Sequence, residues 1–225
     1  GEGVYNEQGE VEAVEGIIID ITDRKEMEDK IKYSNEHDRR TGLYNLNYLE
    51  DLLNSDVKMR NGENRALVGI NLSAVQSIAM TYGYHYTLDL IKQVADALAK
   101  HCTDKRTLFS TYEHQFAFYL KGYRGKNELL EFCNSVIGTL EPLLAMERIT
   151  GGIGIVEISP DKAWDADRLL QNLLIASEKA MSAGDREFGI CFYDEELEKQ
   201  IIRKNDIKNE LANIAYCDRD GGLFL

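Results

Sequence analysis

The order of its apolar runs constrains this chain more than any other feature. Ala66-Leu67-Val68-Gly69-Ile70-Asn71-Leu72 is short and almost continuously apolar, the pattern of a buried strand. Leu88, Ile91, Ala95 and Leu98 then fall at i, i+3, i+7 and i+10, one face of a helix. Thr107–Ser110 and Phe116–Leu120 read as strands joined by a turn over Thr111–Gln115. Leu129, Phe132, Cys133, Val136 and Leu140 restore helical spacing, which Pro142 is expected to stop. Ile149–Ile158 is another strand, Leu170, Leu173, Leu174, Ser177 and Met181 a third helical face, and Gly189–Tyr193 a last strand. A helix over Leu46–Leu53 precedes them all. The β-α-β-β-α-β portion is a split βαβ arrangement, so the fold class is α+β, a mixed sheet with helices packed on it. Its central turn, Tyr112-Glu113-His114-Gln115, is expected beside the carboxyl end of the first strand at Asn71, where a site would lie.

The flanks read differently. Residues 3–7 and 11–19 are strand-like around the turn Asn6-Glu7-Gln8-Gly9-Glu10, a hairpin whose second strand reaches Ile21. Thr22 or Asp23 is expected to cap a charged linker helix ending near Asn35, with Ile21, Met27, Ile31 and Ser34 on a narrow seam. A lone hairpin is marginal in water. After residue 195 a second charged helix carries Leu197, Ile201, Ile202, Ile207, Leu211 and Ile214, then a turn and Leu223-Phe224-Leu225. The strand-like ends read as pieces of neighbouring domains.

Composition excludes several functions. With 26 Lys plus Arg against 39 Asp plus Glu, the formal charge is −13, which opposes a broad grip on nucleic acid or anionic lipid. Residues 1–36 hold −7 of that surplus and residues 37–195 only −5, so it says little about a ligand of the central region. No apolar run approaches the roughly 20 residues that cross a bilayer, and no membrane contact is expected. Cys102, Cys133, Cys191 and Cys217 show no zinc spacing and read as buried thiols in a reducing, cytoplasmic setting.

The most specific string is Asp38-Arg39-Arg40-Thr41-Gly42-Leu43-Tyr44-Asn45. It resembles the D-x-L-T-G-L-x-N-R opening of GGDEF domains, the diguanylate cyclase family, and Thr81-Tyr82-Gly83 resembles that family's N-D-T-Y-G-H segment. With the strand order, the resemblance covers roughly residues 37–195. It implies a ferredoxin-like or palm-type sheet. Gly16–Lys25 resembles the last strand of a PAS domain with its D-I-T-x-R-K exit, and residues 196–225 resemble the start of an EAL domain, the cyclic-di-GMP phosphodiesterase family. The expected organisation is a PAS remnant over 1–24, a linker helix over 25–36, the GGDEF-like domain over 37–195 and an EAL start over 196–225.

Carried over residue by residue, the resemblance implies an erased site. Active members hold Mg²⁺ on GTP with an Asp at the end of the first strand and an acidic residue in the G-G-D-E-F turn. Here those positions are Asn71, followed by Leu72, and His114, within Tyr112-Glu113-His114-Gln115-Phe116. Mg²⁺ prefers carboxylate oxygen, and an amide and an imidazole supply neither its charge nor its hardness. Tyr112 and Glu113 replace the glycines that let backbone approach the nucleotide. Ala79 and Leu88 replace the guanine-reading Asn and Asp, and Asp185 stands where a phosphate-binding Lys is expected. The inhibitory R-x-x-D motif falls on Thr103–Arg106 and is absent.

The expectation is therefore a domain with no catalytic residues, no metal and no bound Mg²⁺ or GTP. It would relay a PAS signal to an EAL phosphodiesterase and pair with a second copy through the linker helix. The alternatives are a GTP-binding allosteric module and a residual cyclase. His114 with His85 is two metal ligands without a third. Gly151-Gly152-Ile153-Gly154 lacks the lysine of a phosphate loop and reads as a strand of small residues. Tyr82, Tyr84 and Tyr86 read as a partly exposed loop.

Overall fold

In the computed structural model, which describes residues 2–15, 20–58, 62–112, 114–159, 164–183, 188–194 and 196, the chain divides into two units after Glu36. The first contains an antiparallel hairpin, β1 (Glu2–Tyr5) and β2 (Val11–Glu15), and helix α1 (Thr22–Glu36). The Asn6 side chain builds the turn, accepting from the N–H groups of Gln8 and Glu10 at 3.0 and 2.9 Å. Residues 16–19, expected to continue the second strand, lie outside the described residues. The side chain that closes the start of α1 is Asp20, and the expected Thr22 and Asp23 lie inside the helix. Asp20 Oδ1 accepts the Thr22 N–H at 2.9 Å, and hydrogen bonds from Thr22 hold its carboxyl below the usual range. No residue of α1 is buried.

The second unit begins with α2 (Leu46–Lys58), β3 (Arg65–Leu72), α3 (Val75–Tyr82) and α4 (Tyr84–Ala99). It continues with β4 (Arg106–Tyr112), β5 (Gln115–Lys121), α5 (Lys126–Leu144), β6 (Gly151–Ile158), α6 (Ala166–Ala183) and β7 (Gly189–Phe192). The sheet order is β4-β5-β3-β6-β7. Each neighbouring pair among β4, β5, β3 and β6 is antiparallel, and β7 joins β6 in parallel. β3 is central and buried at all eight positions, as its almost continuous apolar run requires. Its pleat sends Ala66, Val68, Ile70 and Leu72 into one core with α4 and α5, and Leu67 into a second core with α2 and α6. The fold is thus the expected α+β mixed sheet with helices on both faces. Each fully buried aliphatic or phenylalanine side chain in these cores stabilises the fold by about 1.5–3 kcal/mol.

Several local expectations are corrected. Thr81–Tyr86 is not a loop: α3 and α4 are helical on either side of Gly83, whose φ of 90° breaks the axis at the cost of no side chain. α5 runs through Pro142 to Leu144, because Leu140 and Leu144 are both wholly buried and hold the last turn on the core. The buried face of α6 is Leu169, Asn172, Leu173, Ala176, Ser177 and Ala180, while Leu170, Leu174 and Met181 are only partly covered. Ala176, Ser177 and Ala180, with Leu173, bring that helix onto the glycines of the sheet. Cys102 is exposed just after α4, contrary to the expected burial. Cys133 is in the core, and burial pushes its thiol up to about 12. Among the described residues no helix is long and apolar enough to cross a membrane.

The Asp38–Asn45 string has a structural reason. Asp38 Oδ1 accepts from the Thr41 N–H and hydroxyl, both at 2.8 Å. Asn45 Oδ1 then accepts the Tyr48 N–H at 3.0 Å and so caps α2. Lys92 of α4 donates to the Thr41 carbonyl at 2.8 Å, and the Ser110 N–H of β4 donates to the Tyr44 carbonyl at 2.8 Å. The turn is thereby fastened to both α4 and β4.

Candidate functional site

The carboxyl end of β3 gathers the strand residues expected at a site. Asn71 is opposite Gln115 on β5, and Gln115 is opposite Tyr112 on β4. The Leu72 N–H donates to the His114 carbonyl at 3.3 Å, so the hairpin turn sits against the strand end. Asn71 is 9% exposed, Leu72 and Phe116 are in the core, His114 and Gln115 are partly buried, and Tyr112 is 56% exposed. Ala79 and Leu88 lie on α3 and α4, the helices that follow β3, and are partly buried. Their side chains add aliphatic surface without a donor or acceptor. Glu113 and Asp185 lie outside the described residues.

The chemistry of this strand end can be compared with what a metal–polyphosphate needs. Among the described residues its polar side chains are the amides of Asn71 and Gln115, the imidazole of His114 and the phenol of Tyr112. Mg²⁺ is held by hard oxygen ligands, usually with carboxylate charge, and these residues do not fit it. Among the described residues no group of three or more His, Cys, Asp or Glu is placed to hold any metal ion. His85 is exposed on α4.

The backbone at the strand end is also committed. The Ser73 N–H donates to the Thr150 carbonyl at 2.8 Å, and the Thr150 N–H donates to the Ser73 hydroxyl at 3.1 Å. The Ser73 hydroxyl in turn reaches the Thr150 carbonyl at 2.9 Å. With the Leu72–His114 bond, two successive amides leaving β3 are spent inside the protein and are not offered to an anion. Sequence reasoning missed this clasp because its members are 77 residues apart and Ser-Thr pairs carry no local signal. It also missed the Tyr86 phenol, which donates to the Glu147 carboxylate and ties α4 to the loop before β6. That hydrogen bond, with burial adding to it, raises the Tyr86 pKa. Tyr82 packs on Tyr86 with ring centroids 5.2 Å apart, and both are exposed.

Against known proteins, the sequence matches the family described as Diguanylate cyclase, GGDEF domain, over residues 35–187. No curated protein matches it by sequence. The fold is similar to the coiled coil and GGDEF domain of DgcB from Caulobacter crescentus in complex with c-di-GMP. That match has a TM-score of 0.61 and 14% identity, covering 76% of this chain and 93% of that one. It is also similar to the S helix-GGDEF-EAL portion of Vibrio cholerae LapD bound to c-di-GMP, with a TM-score of 0.64 and 15% identity. There it covers 85% of this chain but spans only 46% of the LapD chain. The GGDEF domain of TpbB, or YfiN, from Pseudomonas aeruginosa gives a TM-score of 0.61 at 18% identity, covering 73% of this chain and 98% of that one.

Proposed function

The chain belongs to the diguanylate cyclase GGDEF-domain family of cyclic-di-GMP signalling proteins, and from that premise we propose that its GGDEF domain is regulatory and makes no cyclic-di-GMP. The observation that supports this most is the chemistry at the end of β3. Where the family resemblance calls for two metal-holding carboxylates, the chain has Asn71 and His114. A metal ion offsets phosphate charge in phosphoryl transfer, and most of the catalysis is positioning and electrostatic stabilisation. Without the carboxylates neither is supplied. Ala79 and Leu88 cannot read a guanine edge, and Glu113 and Asp185 are acidic at positions where the resemblance calls for a glycine and a lysine.

In this reading the domain passes a signal from an upstream PAS-type sensor to an EAL-type phosphodiesterase. The resemblance of residues 16–25 and 196–225 to those domains motivates the assignment, and the S helix-GGDEF-EAL layout of LapD is a precedent for such an order. Incubation with GTP and Mg²⁺ or Mn²⁺, followed by chromatography, should yield no cyclic-di-GMP. Product that disappears in Asn71→Ala would overturn the proposal.

The same reading makes α1 a pairing element between two copies. Met27 and Ile31 are 65% and 56% exposed on it, and an apolar seam on a charged helix gains by facing a like helix. Sedimentation should show dimer for the wild type and monomer for Ile31→Glu. An unchanged sedimentation coefficient in that variant would remove α1 from the interface.

A further inference from the structure

We draw no further inference here: the strongest candidate, the exposed surface patch of Tyr82 and Tyr86 where α3 meets α4, carries none because nothing in the structure shows what covers it.

Discussion

Gly154→Val should lower the thermal midpoint of the GGDEF domain by on the order of 10 °C, equivalent to about 3 kcal/mol of stability. α6 lies directly on the sheet at this point. A Cβ on Gly154 would stand 2.8 Å from the Leu173 carbonyl oxygen and 2.9 Å from the Ala176 carbonyl carbon, and closer still to the Ser177 nitrogen. These are backbone atoms of a helix, so no rotamer change relieves the clash and the helix must move. Gly152 is in the same position against Ser177 and Met181. Because α6 also packs Leu169 and Leu173 into the second core, displacement opens voids as well as creating overlap. Gly138→Ala is the control. Its Cβ would meet nothing within 4 Å on an exposed face of α5, and helix propensity predicts a gain of up to about 1 kcal/mol. Circular dichroism melts of the two variants should move in opposite directions. Equal, small shifts would refute the close-packing account.

The second large effect is expected at Asp56. Its carboxylate, 11% exposed, accepts the Tyr119 hydroxyl at 2.9 Å and pairs with Lys121 at 2.7 Å. Arg65 donates to the Asp56 carbonyl at 2.8 Å. The cluster fastens the end of α2 to β3 and β5. Removing one member of a buried ion pair leaves the others without their charge partner. Lys121 is 32% exposed and recovers some water, so Asp56→Ala should cost about 2–3 kcal/mol, short of the full cost of a wholly buried pair. Burial pushes the Asp56 carboxyl up, but hydrogen bonds from Lys121 and Tyr119 and the charges of Lys121 and Arg65 push it down further, leaving it below the usual carboxylate range. A carboxyl depressed in the folded state binds protons more tightly when unfolded. Its contribution is therefore complete above the ordinary aspartate pKa and is lost as pH falls through the folded value. The stability difference between wild type and Asp56→Asn should be constant near neutrality and shrink below about pH 4. Urea titrations across that range test it, and a difference that grows with acidity would contradict the stated sign.

What was legible in the sequence is what local periodicity encodes. The apolar run 66–72 and the helical faces on Leu88–Leu98 and Leu129–Leu140 imply the element order, and the split βαβ topology then places the hairpin turn beside Asn71. That juxtaposition follows from connectivity and needs no side-chain detail. Other features depended on contacts between distant segments. Val75 and Ile78 are the buried apolar residues of α3, too few to set a period in eight residues. The face of α6 was displaced because Ala176, Ser177 and Ala180, together with Leu173, make the close approach to glycines on the sheet. Asp56 and Tyr119 are separated by 63 residues, and a lone Asp late in a helix reads as solvated. At the site the residue types were fully legible, since loss of a carboxylate shows in one letter. The Ser73–Thr150 clasp was not, because it requires knowing that β6 starts beside the end of β3.

That clasp bears on the central claim, which is that the end of β3 no longer holds a metal–nucleoside triphosphate. The proposal rests on Asn71 and His114 standing where the resemblance calls for metal-holding carboxylates, and on the amides of Leu72 and Ser73 being bonded within the protein. The most direct measurement is isothermal titration of the whole chain with GTP in the presence and absence of Mg²⁺. The account predicts only heats of dilution in both titrations. A saturable, Mg²⁺-dependent heat with a dissociation constant in the micromolar range, abolished in Asn71→Ala, would contradict it.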